Sequence, residues 1–212
     1  GVRPRLPQIP GVTHPKVVSY ADLLSGRAQA GHRVAVIGAG GIGFDVSTFL
    51  LHDEHAGKAT NAPQTVEQFH AEWGVDTSPS AAGGLKPMQP VSSPREVTLL
   101  QRKPEKPGRS LGMTTGWALK AELARRGLRT LSGCTYERID DAGLHLSING
   151  MPQTLAVDTI VLCAGQDSEN ALVAELRALG LAPDVIGGAE LAAELDALRA
   201  IDQGTRLGLA II

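Results

Sequence analysis

The chain has 212 residues, of which 42% are hydrophobic and 20% charged, with a formal net charge of −2. That is enough for one domain, or one and part of another, and it offers no charge excess for nucleic acid or an anionic membrane. No apolar run approaches the ~18 residues of a membrane span, and the two cysteines, Cys134 and Cys163, form no CxxC, so neither a disulfide nor an iron–sulfur site is supported and a reducing, cytoplasmic home is expected.

The sequence starts at Gly1, not Met, with no signal-peptide pattern, and passes into Arg3-Pro4-Arg5-Leu6-Pro7; a piece of a longer protein is expected. Residues 1–16 are proline-rich and read as an extended linker. In 17–26 short apolar positions (Tyr20, Leu23, Leu24) surround Asp22, a candidate helix cap.

Residues 34–43 carry the strongest signal. An apolar strand over 34–37 runs into Gly38-x-Gly40-x-x-Gly43, and the helical pattern Phe44, Val46, Phe49, Leu50 follows. Gly38 permits a tight exit from the strand, Gly40 leaves room for a pyrophosphate, and Gly43 lets the helix lie close to the sheet. The helix start offers unpaired N–H groups and partial positive charge to phosphates. A dinucleotide site is expected; the alternative is a glycine-rich turn that merely packs an α/β unit.

Residues 52–94 break the rhythm with prolines, serines and Gly83-Gly84, and they read as an insertion, partly loop, with one helix around 66–73. The next strand is 96–100. A carboxylate at the end of this second strand would accept hydrogen bonds from a ribose 2′-OH, whereas cations suit a 2′-phosphate. The strand ends in Gln101-Arg102-Lys103, with no acid, so NADP is favoured over NAD. The competing reading is a solvated basic turn.

Residues 108–112 read as flexible. Thr114-Thr115-Gly116 caps a predicted helix over 117–126, with Glu122, Arg125 and Arg126 as its exposed face. A strand over 128–131 and a three-strand meander over 136–139, 144–148 and 153–157 follow. Asp141-Ala142-Gly143 and Asn149-Gly150 supply the hairpin turns. A buried strand over 158–163 ends in Ala164-Gly165. A helix is expected at about 169–179, a short strand at 184–186 leading into Gly187-Gly188, and two helices near 189–200 and 203–211. The order predicts an α/β, Rossmann-like three-layer nucleotide-binding domain, its parallel sheet covered on both faces, with the meander as an accessory.

His52-Asp53-Glu54-His55 places two histidines at helical spacing, but without a third or fourth ligand nearby no metal site is expected. His14, His32, His70 and His145 are isolated, no GxSxG is present, and no residue is expected to act as acid, base or nucleophile.

Taken together, GAGGIGFD, LLQRKPEKPG, MTTGW, INGMPQTLAVDTIVLCAG and VIGGAELAAELDALRAIDQGTRL resemble the C-terminal part of the bacterial NADPH-dependent 2,4-dienoyl-CoA reductases. These belong to the old yellow enzyme-like iron–sulfur flavoproteins, which include trimethylamine dehydrogenase. The resemblance covers essentially the whole chain. It implies a parent with an FMN-bearing barrel, a four-cysteine iron–sulfur cluster and an FAD domain interrupted by an NADPH domain. The FMN, the 4Fe-4S cluster and the first part of the FAD domain would lie upstream of Gly1. It divides the chain into a linker from the FAD domain (1–16), an NADP(H)-binding domain (17–165) and the C-terminal part of the FAD-binding domain (166–212).

The cofactor-binding residues so implied are Gly38, Gly40, Gly41, Ile42 and Gly43 for the pyrophosphate, and Arg102 and Lys103 for the 2′-phosphate. Trp117 is implied near the nicotinamide or substrate, with ordinary packing at a helix start as the alternative. Gly165, Gly188, Leu195, Asp196 and Ala197 complete the set, the last four toward FAD. The superfamily usually has Gly-Asp where this chain has Gly187-Gly188, so the acid is absent or displaced to Glu190. The implied activity is hydride transfer from NADPH to FAD within the whole flavoenzyme. By itself the chain is expected to be inactive and colourless, without tight FAD binding. A trimethylamine dehydrogenase-like domain and a non-catalytic nucleotide-binding module are the alternatives.

Overall fold

The computed structural model describes residues 1–52, 65–78, 80–89, 91–109, 111–193 and 196–211. Strand β1 (Val2–Pro4) and strand β2 (Val17–Ser19) lead into helix α1 (Tyr20–Leu24). Strand β3 (Arg33–Ile37) and helix α2 (Gly41–His52) follow, then helix α3 (Val66–Trp73), strand β4 (Glu96–Leu100) and helix α4 (Gly116–Arg125). Strands β5 (Arg129–Leu131), β6 (Cys134–Asp140), β7 (Gly143–Ile148), β8 (Met151–Leu155), β9 (Thr159–Leu162) and β10 (Gln166–Ser168) precede helices α5 (Ala171–Ala178) and α6 (Ala197–Ala210).

Five strands form one parallel sheet in the order β2-β9-β3-β4-β5. Its central strands are apolar on both faces, as a parallel sheet buried on both sides requires. Val34 and Val36 of β3 point to one side, where Phe44, Val46, Leu50 and Leu51 of α2 and Leu123 of α4 cover them. Ala35 and Ile37 point to the other, against Leu144 and Leu146 of the antiparallel meander β6-β7-β8. The three layers are therefore helices, parallel sheet and meander. The predicted Rossmann-like architecture holds, and the meander is one of its two covering layers.

The turns follow their chemistry. Asn149 (φ 54) and Gly150 (φ 78) both occupy the left-handed region, the geometry of a type I′ hairpin turn. Helix α1 differs from expectation at its start: Ser19 is the cap, accepting the Asp22 N–H at 3.0 Å. Asp22 sits inside the first turn, accepts a hydrogen bond from the Ser19 hydroxyl at 2.7 Å, and pairs with Arg27.

Residues 1–16 are more than a linker. β1 pairs antiparallel with β10, Arg3 opposite Asp167, and Arg5 Nε donates to Asp167 at 2.8 Å. Ile9 is buried in the meander-side core, and a Cβ on Gly11 would overlap the Ile139 carbonyl. Beyond β10, residues 184–186 form no strand, and the expected pair of closing helices is one helix, α6. An Arg206–Asp202 pair at 2.8 Å, four residues apart, bridges the expected break.

Candidate functional site

The glycine turn forms where β3 passes into α2. Gly38 has φ +115, and a Cβ there would overlap the Cys163 carbonyl oxygen at the end of neighbouring β9. Its N–H donates to the Leu100 carbonyl at 2.8 Å, extending the ladder toward β4. Gly43 is buried against the turn itself: a Cβ would overlap the Gly38 carbonyl and meet Leu99 at 3.3 Å. Gly40 and Gly41, in contrast, are exposed and have nothing within 4 Å of a Cβ position. Two glycines hold the turn shut and two leave an open cradle. The first-turn N–H groups of α2, from Gly41, Ile42 and Gly43, have no intrahelical acceptor and face the cradle's end of the helix.

The basic corner stands beside this turn. The β3–β4 register places Ile37 opposite Leu100, so Gly38 and Gln101 leave the sheet at the same level. Gln101 N–H donates to Leu131 O at 2.9 Å, Cys134 N–H to Gln101 O at 3.0 Å, and Gly133 N–H to Lys103 O at 2.9 Å. From this anchored backbone Arg102 and Lys103 project into solvent, and among the described residues neither has an ion-pair partner. Open glycines, a helix N-terminus and two cations without partners are together an arrangement able to take anionic groups such as phosphates.

Helix α4 starts at the same C-terminal rim of the sheet, since it follows β4 and returns to the parallel strand β5. Trp117 is 65% exposed and Met113 97% exposed, and neither belongs to the buried core. Thr115 occupies the cap position without a side-chain bond to the helix. Gly165 (φ +100) is also on this rim, two residues beyond Cys163; its carbonyl accepts the Arg5 N–H at 3.0 Å. Arg5 lies 162 residues from Asp167, and nothing in the local sequence signalled that contact.

The C-terminal candidates lie on a separate, less packed segment. Gly187 (φ +64) begins a 3₁₀ turn, Gly187–Ala189. Its N–H donates to Gln203 Oε1 at 2.7 Å, and Gln203 Nε2 donates to Glu190 at 2.8 Å. Glu190 is thus engaged with α6, beside Gly188 in the same turn. Asp196 caps α6, accepting the Arg199 N–H at 2.8 Å, and Ala197 is the first helical residue. Leu195 lies outside the described residues. Neither α5 nor α6 buries a residue.

The chemistry of other groups is structural. His52 donates from Nδ1 to Thr48 O at 2.8 Å and its Nε2 meets Glu122 at 2.7 Å, while Asp53, Glu54 and His55 lie outside the described residues. No group of three metal-ligating side chains occurs among the described residues. Glu122 and Arg126 are not the solvated face expected of α4. The Arg126 side chain is 9% exposed and bridges Glu122 and Glu72, and Arg125 lies 4.1 Å over the Trp73 ring. That face holds α3, within the expected insertion. Both cysteines are free and buried, and burial pushes the Cys163 thiol up to about 12 and raises Cys134 as well. Neither supplies a thiolate at neutral pH. No helix among the described residues is long and apolar enough to cross a membrane.

Residues 1–196 match the pyridine nucleotide-disulphide oxidoreductase family. A metal reductase of Desulforamulus reducens is 25% identical over 177 residues, covering 84% of this chain and 25% of that protein. Among solved structures, 2-naphthoyl-CoA reductase in complex with 2-naphthoyl-CoA is similar at TM-score 0.63 and 21% identity, over 92% of this chain and 24% of its own. The 6-hydroxypseudooxynicotine amine oxidase of Pseudomonas geniculata N1 is similar at TM-score 0.66 and 19% identity, over 92% and 26%. The chain spans about a quarter of the length of these proteins.

Proposed function

The chain belongs to the pyridine nucleotide-disulphide oxidoreductase family, and we propose that it is the NADPH-binding domain of a flavin- and iron–sulfur-dependent 2,4-dienoyl-CoA reductase. On this reading residues 166–212 are the C-terminal part of that enzyme's FAD-binding domain. At the coarser level, the chain is an oxidoreductase domain of the NAD(P)H- and FAD-binding kind, a partial relative of larger flavoenzymes. The disulphide chemistry in the family's name has no counterpart in its two buried, unpaired cysteines.

The observation that carries the NADPH reading is the placement of two free cations, Arg102 and Lys103, at sheet level with the open glycine cradle. When bound, NADPH supplies a hydride and FAD accepts it; that chemistry belongs to the cofactors. The chain's own work is to hold: Gly40 and Gly41 leave space for the pyrophosphate, the α2 N-terminus faces it, and Arg102 pairs with the 2′-phosphate. Trp117 and Met113, exposed on the same rim, cover the side from which a flavin-bearing domain approaches.

The β1–β10 ribbon supports reading the nucleotide-binding body as an insertion within another domain, with its ends at residues 2–4 and 166–168. Entry and exit of the nucleotide-binding body run side by side, antiparallel, as suits a domain inserted within another. The fold is shared with a CoA-thioester reductase and with an amine oxidase alike, so fold does not choose the substrate; the basic corner chooses the nucleotide. Calorimetric titration of the chain with NADP⁺ and NAD⁺ tests this: a clear preference for NADP⁺ supports it, and equal affinities overturn it.

A further inference from the structure

Gln101 separates the second strand from the two cations. Its side-chain amide folds back into its own loop, donating from Nε2 to the Lys103 carbonyl at 3.1 Å and to the Glu105 carbonyl. Only the NH₂ end of the amide can face two carbonyls, so the orientation is fixed by chemistry. Lys103 O also receives the Gly133 N–H at 2.9 Å, which fills both of its lone pairs. The 101–105 loop has no regular secondary structure, and Arg102, Lys103, Pro104 and Glu105 are all exposed. Packing does not hold it. Its shape depends on the 131–134 backbone beneath and on the glutamine amide within.

Resting on the NADPH reading above, we infer that Gln101 is a positioning residue for 2′-phosphate recognition. By closing the loop on itself, the amide sets the direction in which Arg102 and Lys103 leave the backbone, without touching the nucleotide. A guanidinium that must pair bidentately is sensitive to that direction, and loss of the amide returns the loop's freedom to be frozen out at each binding event. The adenine, ribose and pyrophosphate contacts shared by NAD⁺ and NADP⁺ do not depend on it.

The test is to titrate the wild-type chain, Gln101→Met and Gln101→Asn with NADP⁺ and with NAD⁺. Met keeps the length without a donor, and Asn keeps the donor without the reach. Both variants are expected to bind NADP⁺ about three- to tenfold more weakly and NAD⁺ within about twofold of wild type. Parallel losses for both nucleotides make Gln101 a mere structural support and overturn the inference, as does unchanged NADP⁺ affinity in either variant. Failure of the underlying reading is distinguishable, because wild type itself then shows no preference.

Discussion

A Cβ on Gly43 would overlap the carbonyl oxygen of Gly38, so the third glycine of the turn is dictated by the first. The same carbonyl lies at the point where helix α2 meets the end of β3. Gly40, between them, is unconstrained by neighbours and exposed. Substitutions should separate accordingly. Gly43→Ala forces backbone apart and is expected to cost about 2–4 kcal/mol of stability. Gly40→Ala should leave thermal unfolding within about 0.5 kcal/mol of wild type while weakening nucleotide binding about tenfold or more, since its methyl would enter the open space proposed for the pyrophosphate. Denaturant titration and calorimetry on both variants check this. Equal destabilisation by the two would contradict the division of labour.

Arg102 and Lys103 emerge from one corner but have different geometry to offer. A guanidinium can fork onto two phosphate oxygens, whereas an ammonium is a point charge on a flexible stem. Arg102→Ala is therefore expected to lower NADP⁺ affinity by about ten- to a hundredfold, the worth of a charge-assisted hydrogen-bonded pair. Lys103→Ala should lower it only a few-fold. NAD⁺ affinity should stay constant in both, and the NADP⁺ losses should shrink as salt rises. Retention of NADP⁺ affinity in Arg102→Ala would remove the arginine from the site.

The parts of this arrangement that were legible in the sequence are those written in neighbouring residues. The β3–turn–α2 unit announces itself by an apolar run, three spaced glycines and a helical period, and Asn149-Gly150 by the left-handed backbone both residues adopt. The β1–β10 ribbon was not legible, because three-residue strands such as Val2–Pro4 and Gln166–Ser168 carry no alternation and pair across the whole domain. The α4 face misread for the same reason: Glu122, Arg125 and Arg126 have the residue types of a solvated surface, and only contacts from distant segments, His52 of α2 and Glu72 and Trp73 of α3, cover part of them. Ser19 and Asp22 are both good caps by type; the backbone at Ser19, φ −78 and ψ 151, decides between them.

The opposite rim of the sheet carries a pH-sensitive tie. Asp158, just before β9, accepts the Arg33 backbone N–H at 2.8 Å and pairs with the Arg33 guanidinium at 2.7 Å. The Arg33 side-chain hydrogen bond, then the backbone one, hold the Asp158 carboxyl down at about 2. Because the folded value lies below the unfolded one, the carboxylate contributes stability in full above about pH 4, and that contribution is lost as pH falls through about 2. The pair is partly exposed, so solvent screening limits it to about 1 kcal/mol or less. Asp158→Ala should destabilise by about that amount at pH 7, with the gap to wild type narrowing as pH falls from about 4 through about 2, as followed by urea unfolding across the range. A gap that persists unchanged at pH 2 would assign the effect to packing.

The two ends of the chain should respond oppositely to truncation. Residues 171–211 are amply apolar, with Leu172, Leu179, Leu198, Ile201, Leu209 and Ile211 all more than half exposed, yet neither α5 nor α6 buries a residue. Burial is what converts apolar side chains into stability, at roughly 25 cal/mol per Å² removed from water. This segment therefore adds little to the nucleotide-binding body, as its proposed assignment to an FAD-binding domain requires. Ending the chain after Asn170 keeps the β1–β10 ribbon and is expected to change unfolding free energy by less than about 1 kcal/mol and NADP⁺ affinity not at all. Removing residues 1–16 instead takes Ile9 out of the meander-side core and is expected to cost at least the ~2–5 kcal/mol of a deleted buried aliphatic side chain. Calorimetric unfolding of both truncations measures the difference. A large loss on removing the C-terminal helices would show that they belong to the nucleotide-binding body and would overturn their proposed assignment to an FAD-binding domain.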